Sequence, residues 1–261
     1  MDSSQQPGGR AKRINHSEAG IAFDNGQHIL IGAYQETRAL MRSVGINEHD
    51  VLMRLPLDVR NASGLGLELP HGSPPWNFFM GIVRAKGWSW SDKLCLLRAA
   101  LGWQTHGFSC PTDWSVHTLC DSHRLTPAIR RHWVEPLCLS ALNTDLHQAS
   151  ASVFLCVLQD ALLSGPGGSD FLIPTTDLSQ VFPDAALAWL EAHGANIQMG
   201  RSVDPEDLNL MLSEPGPIVL ATSWRQAALL THRHAPAWST QAQPLQPRSI
   251  ATVYLRIRDE G

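Results

Sequence analysis

Apolar and polar positions along the chain fall into blocks, and the period of each block names the element it forms. Residues 20–34 read GIAFDNGQHILIGAY. Two apolar runs of strand length flank Asp-Asn-Gly-Gln-His, which predicts two short strands around a turn. In QETRALMRSVGI, residues 35–46, Thr37, Leu40, Met41 and Val44 recur at three- and four-residue intervals. That is the stripe of an amphipathic helix, which Gly45 stops. Residues 50–60 and 64–70 are strand-like, and HGSPPWN at 71–77 breaks the pattern. From 76 to 163 the spacing is helical, through WNFFMGIVRAK, SWSDKLCLLRAALGW, TDWSVHTLCDSH, LTPAIRRHWVEPLCLSALN and ASASVFLCVLQDALL. Ser91 and Thr112 stand where N-caps stand, and Pro136 breaks its helix with Trp133 and Leu137 in the core. A Gly- and Pro-punctuated loop covers 165–184, and 185–203 read as helix, Gly194 turn and strand. Residues 216–230 predict a wholly buried strand passing into a helix, and RSIATVYLRI at 248–257 predicts a closing strand. The order β, α, long helical insert, β, α, β suits an α/β chain with an inserted domain. QAQPLQP at 241–247 is a short linker, and no internal repeat is present.

Composition narrows the class. Hydrophobic residues are 43% of the 261 and charged residues 17%, enough apolar surface for a substantial core. A net charge of -4 without a concentrated basic patch argues against nucleic acid as a partner. Five cysteines, none in a CxxC pair, fit free thiols in a reducing compartment. MDSSQQPGGRAKR carries no apolar stretch of the signal-peptide kind, so the expected localisation is cytoplasmic. Nine tryptophans add an alternative, a peripheral contact with the inner membrane. PPWNFFMGIVRAKGWSW mixes aromatic and basic residues as a membrane-skimming helix does. The competing reading makes Trp76, Trp88, Trp90, Trp103 and Trp114 fillers of a core or domain interface.

Two segments carry candidate chemistry. In PGGR, residues 7–10, paired glycines allow positive φ and close approach of a ligand, and Arg10 can reach a phosphate or carboxylate. In FDNGQHILIG, Asp24-Asn25-Gly26 is a turn, while Gln27 and His28 offer side chains to a heterocycle; turn and site are both open readings. His117, Cys120 and His123 in HTLCDSH have zinc-ligand chemistry but no local fourth ligand, and an ordinary helix surface is the favoured reading. His132, Glu135 and Cys138 in HWVEPLC suggest acid–base or nucleophilic work, against a purely structural helix. No GxSxG is present, which argues against a hydrolase of that type.

PGGRAKRI and FDNGQHILIGAY resemble segments of the flavin-containing amine oxidase and carotenoid desaturase superfamily. HWVEPLCLSALNT at 132–144, the block 149–184 and RSIATVYLRI narrow the resemblance to the squalene-associated FAD-dependent desaturases, or hydroxysqualene dehydroxylases. That resemblance implies FAD as cofactor. Gly8, Gly9 and Arg10 would lie beside its pyrophosphate and ribityl chain, and Gly26, Gln27 and His28 near the isoalloxazine. Val203 would offer backbone to the adenine, with Ala221 and Thr222 beside the cofactor. It further implies an isoprenoid substrate met by Trp133 or Glu135, with His28 or Glu135 as general acid. The implied reaction converts hydroxysqualene to squalene, feeding hopanoid synthesis. Desaturation of a carotenoid precursor, amine oxidation, and a non-enzymatic lipid- or partner-binding fragment are the alternatives.

The expected architecture is a partial, Rossmann-like FAD-binding domain (1–50 and 185–235). A mostly helical substrate domain carrying a mixed sheet (51–184 and 245–261) is inserted into it. The family's GxGxxG unit and its AGD segment are not in this sequence. The expectation is therefore the middle of a flavoprotein that alone binds FAD poorly, or that a separately encoded remainder completes.

Overall fold

The computed structural model describes residues 1–16 and 21–255. In chain order the elements are β1 (Arg13–His16), β2 (Ile21–Asp24), β3 (Leu30–Ile31), α1 (Gln35–Ser43), α2 (Glu48–Val51), β4 (Leu52–Leu55), β5 (Asp58–Arg60) and β6 (Gly66–Glu68). Then come α3 (Trp76–Arg84), α4 (Trp90–Thr105), α5 (Val116–Ser122), α6 (Pro127–Ile129), a π-helical turn (Arg130–Val134), α7 (Glu135–Leu142) and α8 (Ala151–Leu163). The chain closes with β7 (Phe171–Pro174), α9 (Leu178–Val181), α10 (Pro183–Ala192), α11 (Pro205–Leu212), α12 (Trp224–Thr231) and α13 (Pro236–Ala242). This is the expected α/β class. Its strand ladders are small and antiparallel, however, where a mixed sheet was expected.

The chain divides into two compact units, Met1–Gly26 with Phe182–Gly261, and Gln27–Val181. The expected partition differs: residues 27–50 belong with the helical unit, and 182–184 and 245–255 belong with the other.

The helical unit holds the main core. Leu96, Trp103, Val116, Leu119, Trp133, Phe154 and Leu155 from α3–α8 and the π turn pack into one cluster. Trp133 is wholly buried, 5.9 Å from Phe78 and stacked at 6.4 Å on Trp103. The helix does not break at Pro136. Proline cannot donate to the carbonyl four residues back, and the preceding turn widens, so that the Glu135 N–H reaches the Arg130 oxygen. Caps also fall elsewhere than expected. Ser89, not Ser91, caps α4 in a reciprocal box with Asp92, and Ser115, not Thr112, caps α5. On the sheet side β7 lies between β3 and β4. The Gly165–Gly168 loop seats on Gly32, whose N–H donates to the Asp170 carbonyl at 2.9 Å, and a Cβ on Gly32 would overlap the Gly167 oxygen. The Arg38 guanidinium bonds both Glu48 carboxylate oxygens, at 2.6 and 2.7 Å, and the Gly32 carbonyl, which ties α1, α2 and β3 together. That hydrogen bond holds the Glu48 carboxyl below its usual range.

In the other unit β1 pairs with β2 in register Arg13↔Asp24 through His16↔Ile21. The expected β2–β3 pair therefore does not form, because β3 pairs with β7. The amino-terminal segment runs beside 198–201. Asp2 and Met199 form a parallel bridge, and the N–H groups of Arg201 and Gly200 donate to the carbonyls of Asp2 and Ser4 at 2.9 Å each. Three expected strands are absent among the described residues. Positions 195–203 carry only the isolated bridge at Met199, and 216–222 and 248–255 are irregular, with Val219 85% and Leu255 83% exposed. A strand needs a neighbour for its N–H and C=O groups; 198–201 finds only the single bridge and few bonds of the amino-terminal segment, and no ladder reaches 216–222 or 248–255 among the described residues. Arg256 and Ile257 of the predicted closing strand lie outside the described residues.

Candidate functional site

The glycine turn and the Asp-Asn-Gly turn share one end of the β1–β2 ladder. The Ala11 N–H closes the first turn on the Gly8 carbonyl at 2.8 Å, and the Asn25 N–H donates to the Lys12 carbonyl at 2.8 Å, one step past the Arg13↔Asp24 pair. Gly8, Gly9 and Gly26 have φ of +100°, +57° and +88°, conformations that side chains oppose. The two paired glycines differ in surroundings. A Cβ on Gly8 would come within 2.6 Å of the Ala11 oxygen and 2.9 Å of Pro183 Cγ. At Gly9 it would meet nothing within 4 Å. Packing therefore explains Gly8, whereas Gly9 turns bare backbone toward open space. Arg10 beside it is exposed and makes no described hydrogen bond or ion pair.

Two further contacts complete this end of the unit. The Tyr254 hydroxyl donates to the Asp24 carbonyl at 2.8 Å, and its ring lies 4.9 Å from Phe23. Gly200 has φ +70°, and a Cβ there would meet the Gln5 amide. Val203 is half-buried, two residues past the Arg201 that bonds Asp2. Ala221 and Thr222 are exposed on the irregular segment before α12, with no described hydrogen bond to the glycine turns. Sequence reasoning missed Pro183 and Gly200. The isolated Gly200 was the visible signal, since it follows no helix and ends no strand.

The other candidates lie in the helical unit. Gln27 and His28 are exposed in the irregular stretch before β3. Glu135 is exposed in the first turn of α7. Trp133, expected to face substrate, is instead in the core. Cys138 is buried, and its thiol donates to the Thr144 carbonyl at 3.3 Å. Burial first, then Asp145 and Glu135, pushes that thiol up to about 11, so it stays protonated and unreactive near neutrality. His117 stacks on His147 at 4.1 Å and sits 3.3 Å from Asp121, while Cys120 points into the core. No group of three potential metal ligands occurs among the described residues.

The model of the flavin containing amine oxidoreductase family matches residues 1–204. The chain belongs to that family. Similar proteins include the hydroxysqualene dehydroxylase of Rhodopseudomonas palustris, 27% identical over 77% of this chain and 47% of its own length. Proteins of the same name from Sinorhizobium fredii and Zymomonas mobilis are each 24% identical, over 98% and 75% of this chain and 61% and 46% of theirs. The chain thus spans about half the length of the curated relatives it matches. Among solved structures, reduced UDP-galactopyranose mutase aligns over 92% of this chain and 54% of its own, at 13% identity and a TM-score of 0.46.

Proposed function

We propose that the chain works as an FAD-dependent oxidoreductase on a squalene-type isoprenoid, reducing hydroxysqualene to squalene with loss of the hydroxyl, a supply step for hopanoid synthesis. The observation that carries this reading is the agreement of three relatives on one name, one of them aligned along nearly the whole chain. Family membership favours a flavin, and the residues present fit one. Gly9 leaves backbone open in the left-handed region, and the unpaired Arg10 guanidinium beside it suits a pyrophosphate oxygen. In this reading Gly8, Gly9, Arg10 and Gly26 hold the cofactor, with Val203 as a backbone contact. When bound, the reduced flavin supplies the hydride equivalents. Exposed His28 holds the proton that the departing hydroxyl takes up, with Glu135 as the second candidate for that acid role.

The test is a titration of the purified 261-residue chain with FAD, read by flavin fluorescence, alongside Arg10→Gln and Gly9→Val. Saturable binding weakened about tenfold or more in both variants supports the site. Equal binding in all three proteins assigns the flavin elsewhere. A separate anaerobic assay with dithionite-reduced FAD and hydroxysqualene reads squalene formation, and absence of squalene from a flavin-loaded chain refutes the reaction.

A further inference from the structure

In the helical unit α3 and α4 each bury one stripe and leave a second apolar stripe in solvent. α3 turns Asn77, Phe78, Gly81 and Ile82 inward, while Trp76 is 66% exposed with Phe79 stacked on it at 5.2 Å. α4 buries Asp92, Leu96, Ala99 and Trp103, while Trp90 is 67% exposed and Leu94 and Leu101 stand in solvent beside it. Lys93 links the two helices. Its Nζ donates to the Val83 carbonyl at 2.8 Å and lies 5.0 Å from the Trp90 ring. Two exposed indoles, with Phe79, Leu94 and Leu101 exposed on the same two helices, are unusual for a surface that stays in water.

The two helices and the turn between them also carry an excess of basic residues. Arg84, Lys86 and Arg98 are exposed and make no described side-chain hydrogen bond or ion pair. The lone acid within 76–105 is Asp92, whose carboxylate is occupied by Ser89 and Thr126. Beside the face lies a depression of about 300 Å³ lined by Arg60, Gly66, Glu68, Pro70, Arg84 and Lys86. Arg60 there is engaged by Asp58 and Glu68, which leaves Arg84 and Lys86 as the uncommitted cations.

We propose that the α3–α4 face docks on the surface of an anionic lipid bilayer. The tryptophans and leucines would enter the headgroup–acyl boundary, with Arg84 and Lys86 taking a lipid phosphate in the depression. Indole rings, apolar in body and polar at the N–H, favour that boundary. Cations beside them meet the negative surface potential. No described helix is long and apolar enough to cross a membrane, and the contact lies along the surface. A second copy of the chain fits this face less well, because a two-fold contact would set Arg84, Lys86 and Arg98 against their own counterparts. The proposal is independent of the flavin reading, since vesicle binding needs neither cofactor nor turnover.

The test is sedimentation of the full chain with vesicles of phosphatidylcholine alone, and of phosphatidylcholine mixed with phosphatidylglycerol. Binding should be confined to the mixed vesicles and fall with added salt. The pair Arg84→Gln and Lys86→Gln should weaken it more than about tenfold, and the pair Trp76→Ser and Trp90→Ser by a similar factor. Circular dichroism melts confirm that each variant folds, and the charge pair, being fully surface-borne, keeps the test decisive if the tryptophan pair does not. Equal recovery with both vesicle types overturns the proposal. So does binding that survives both pairs of substitutions, or a dimer that only the tryptophan pair dissolves while vesicle binding persists.

Discussion

Asp92 receives three donors at once. Its carboxylate accepts the Ser89 N–H at 2.9 Å, the Ser89 hydroxyl at 2.6 Å and the Thr126 hydroxyl at 2.6 Å, so one nearly buried side chain caps α4 and fastens the cap of α6. The Ser89 bond, then Thr126, holds its carboxyl below the usual range. A depressed folded value means the stabilisation is full above the ordinary carboxylate pKa and fades as pH falls through the folded value. Asp92→Asn should therefore cost about 1–2 kcal/mol near neutrality, and the gap from wild type in urea midpoint should narrow below about pH 4. A gap independent of pH would remove the charge from this account. Cysteines make a second contrast at this scale. Burial pushes Cys120 and Cys138 up to about 11, and Cys156 is exposed. Iodoacetamide at neutral pH should label Cys156 in the native chain, and reach Cys120 and Cys138 only after denaturation, as peptide mass mapping would read.

Among the elements, helices were legible where burial imposes a 3.6-residue period that the sequence repeats, as Leu96, Ala99 and Trp103 in α4 show, whereas of the stripe expected in α1 only Met41 is buried and Leu40 and Thr37 are exposed. Their starts were harder. Ser91 and Ser89 look alike until Asp92 is counted three residues after Ser89, which makes the capping box. Ser89→Ala should cost about 1 kcal/mol, while Ser91→Ala should stay within about 0.5; reversed values in thermal melts would restore the earlier cap. Pro136 misled because the rule that proline ends a helix omits the wider turn at 130–134. β1 was missed altogether, since RINH carries no strand signature by itself. Residues 216–221 and 250–255 show the opposite error. Their β-branched runs match a buried strand, but strand formation depends on a partner that local composition does not specify. The glycine cluster was legible only in part: PGGR and DNG were visible as turns, and the ladder that joins their ends was not.

The whole molecule is uneven in how it is held. The large cluster from Leu57 to Leu162 lies within Gln27–Val181. The other unit buries fewer and smaller side chains, chiefly Leu208, Leu230, Ala227, Ala228 and Ala242 around α11–α13. Local stability follows buried apolar contact and protected backbone bonds. The irregular stretch at 214–219 has neither, and 246–255 is exposed and free of strand ladders, with Tyr254 against Phe23 and the Asp24 carbonyl among its few holds. Proteases cut where several residues can leave the fold together, at a cost close to zero for such stretches and close to the global value inside a packed helix cluster. Dilute chymotrypsin should therefore cleave first beside Leu212, Tyr254 and Leu255. It should trim that unit stepwise while a fragment spanning roughly residues 27–181 accumulates. Mass spectrometry of timed digests reads the order. Early cuts inside α4, α7 or α8 would show instead that the helical cluster opens as readily as the exposed segments, and that the asymmetry of burial does not govern which part of this chain yields first.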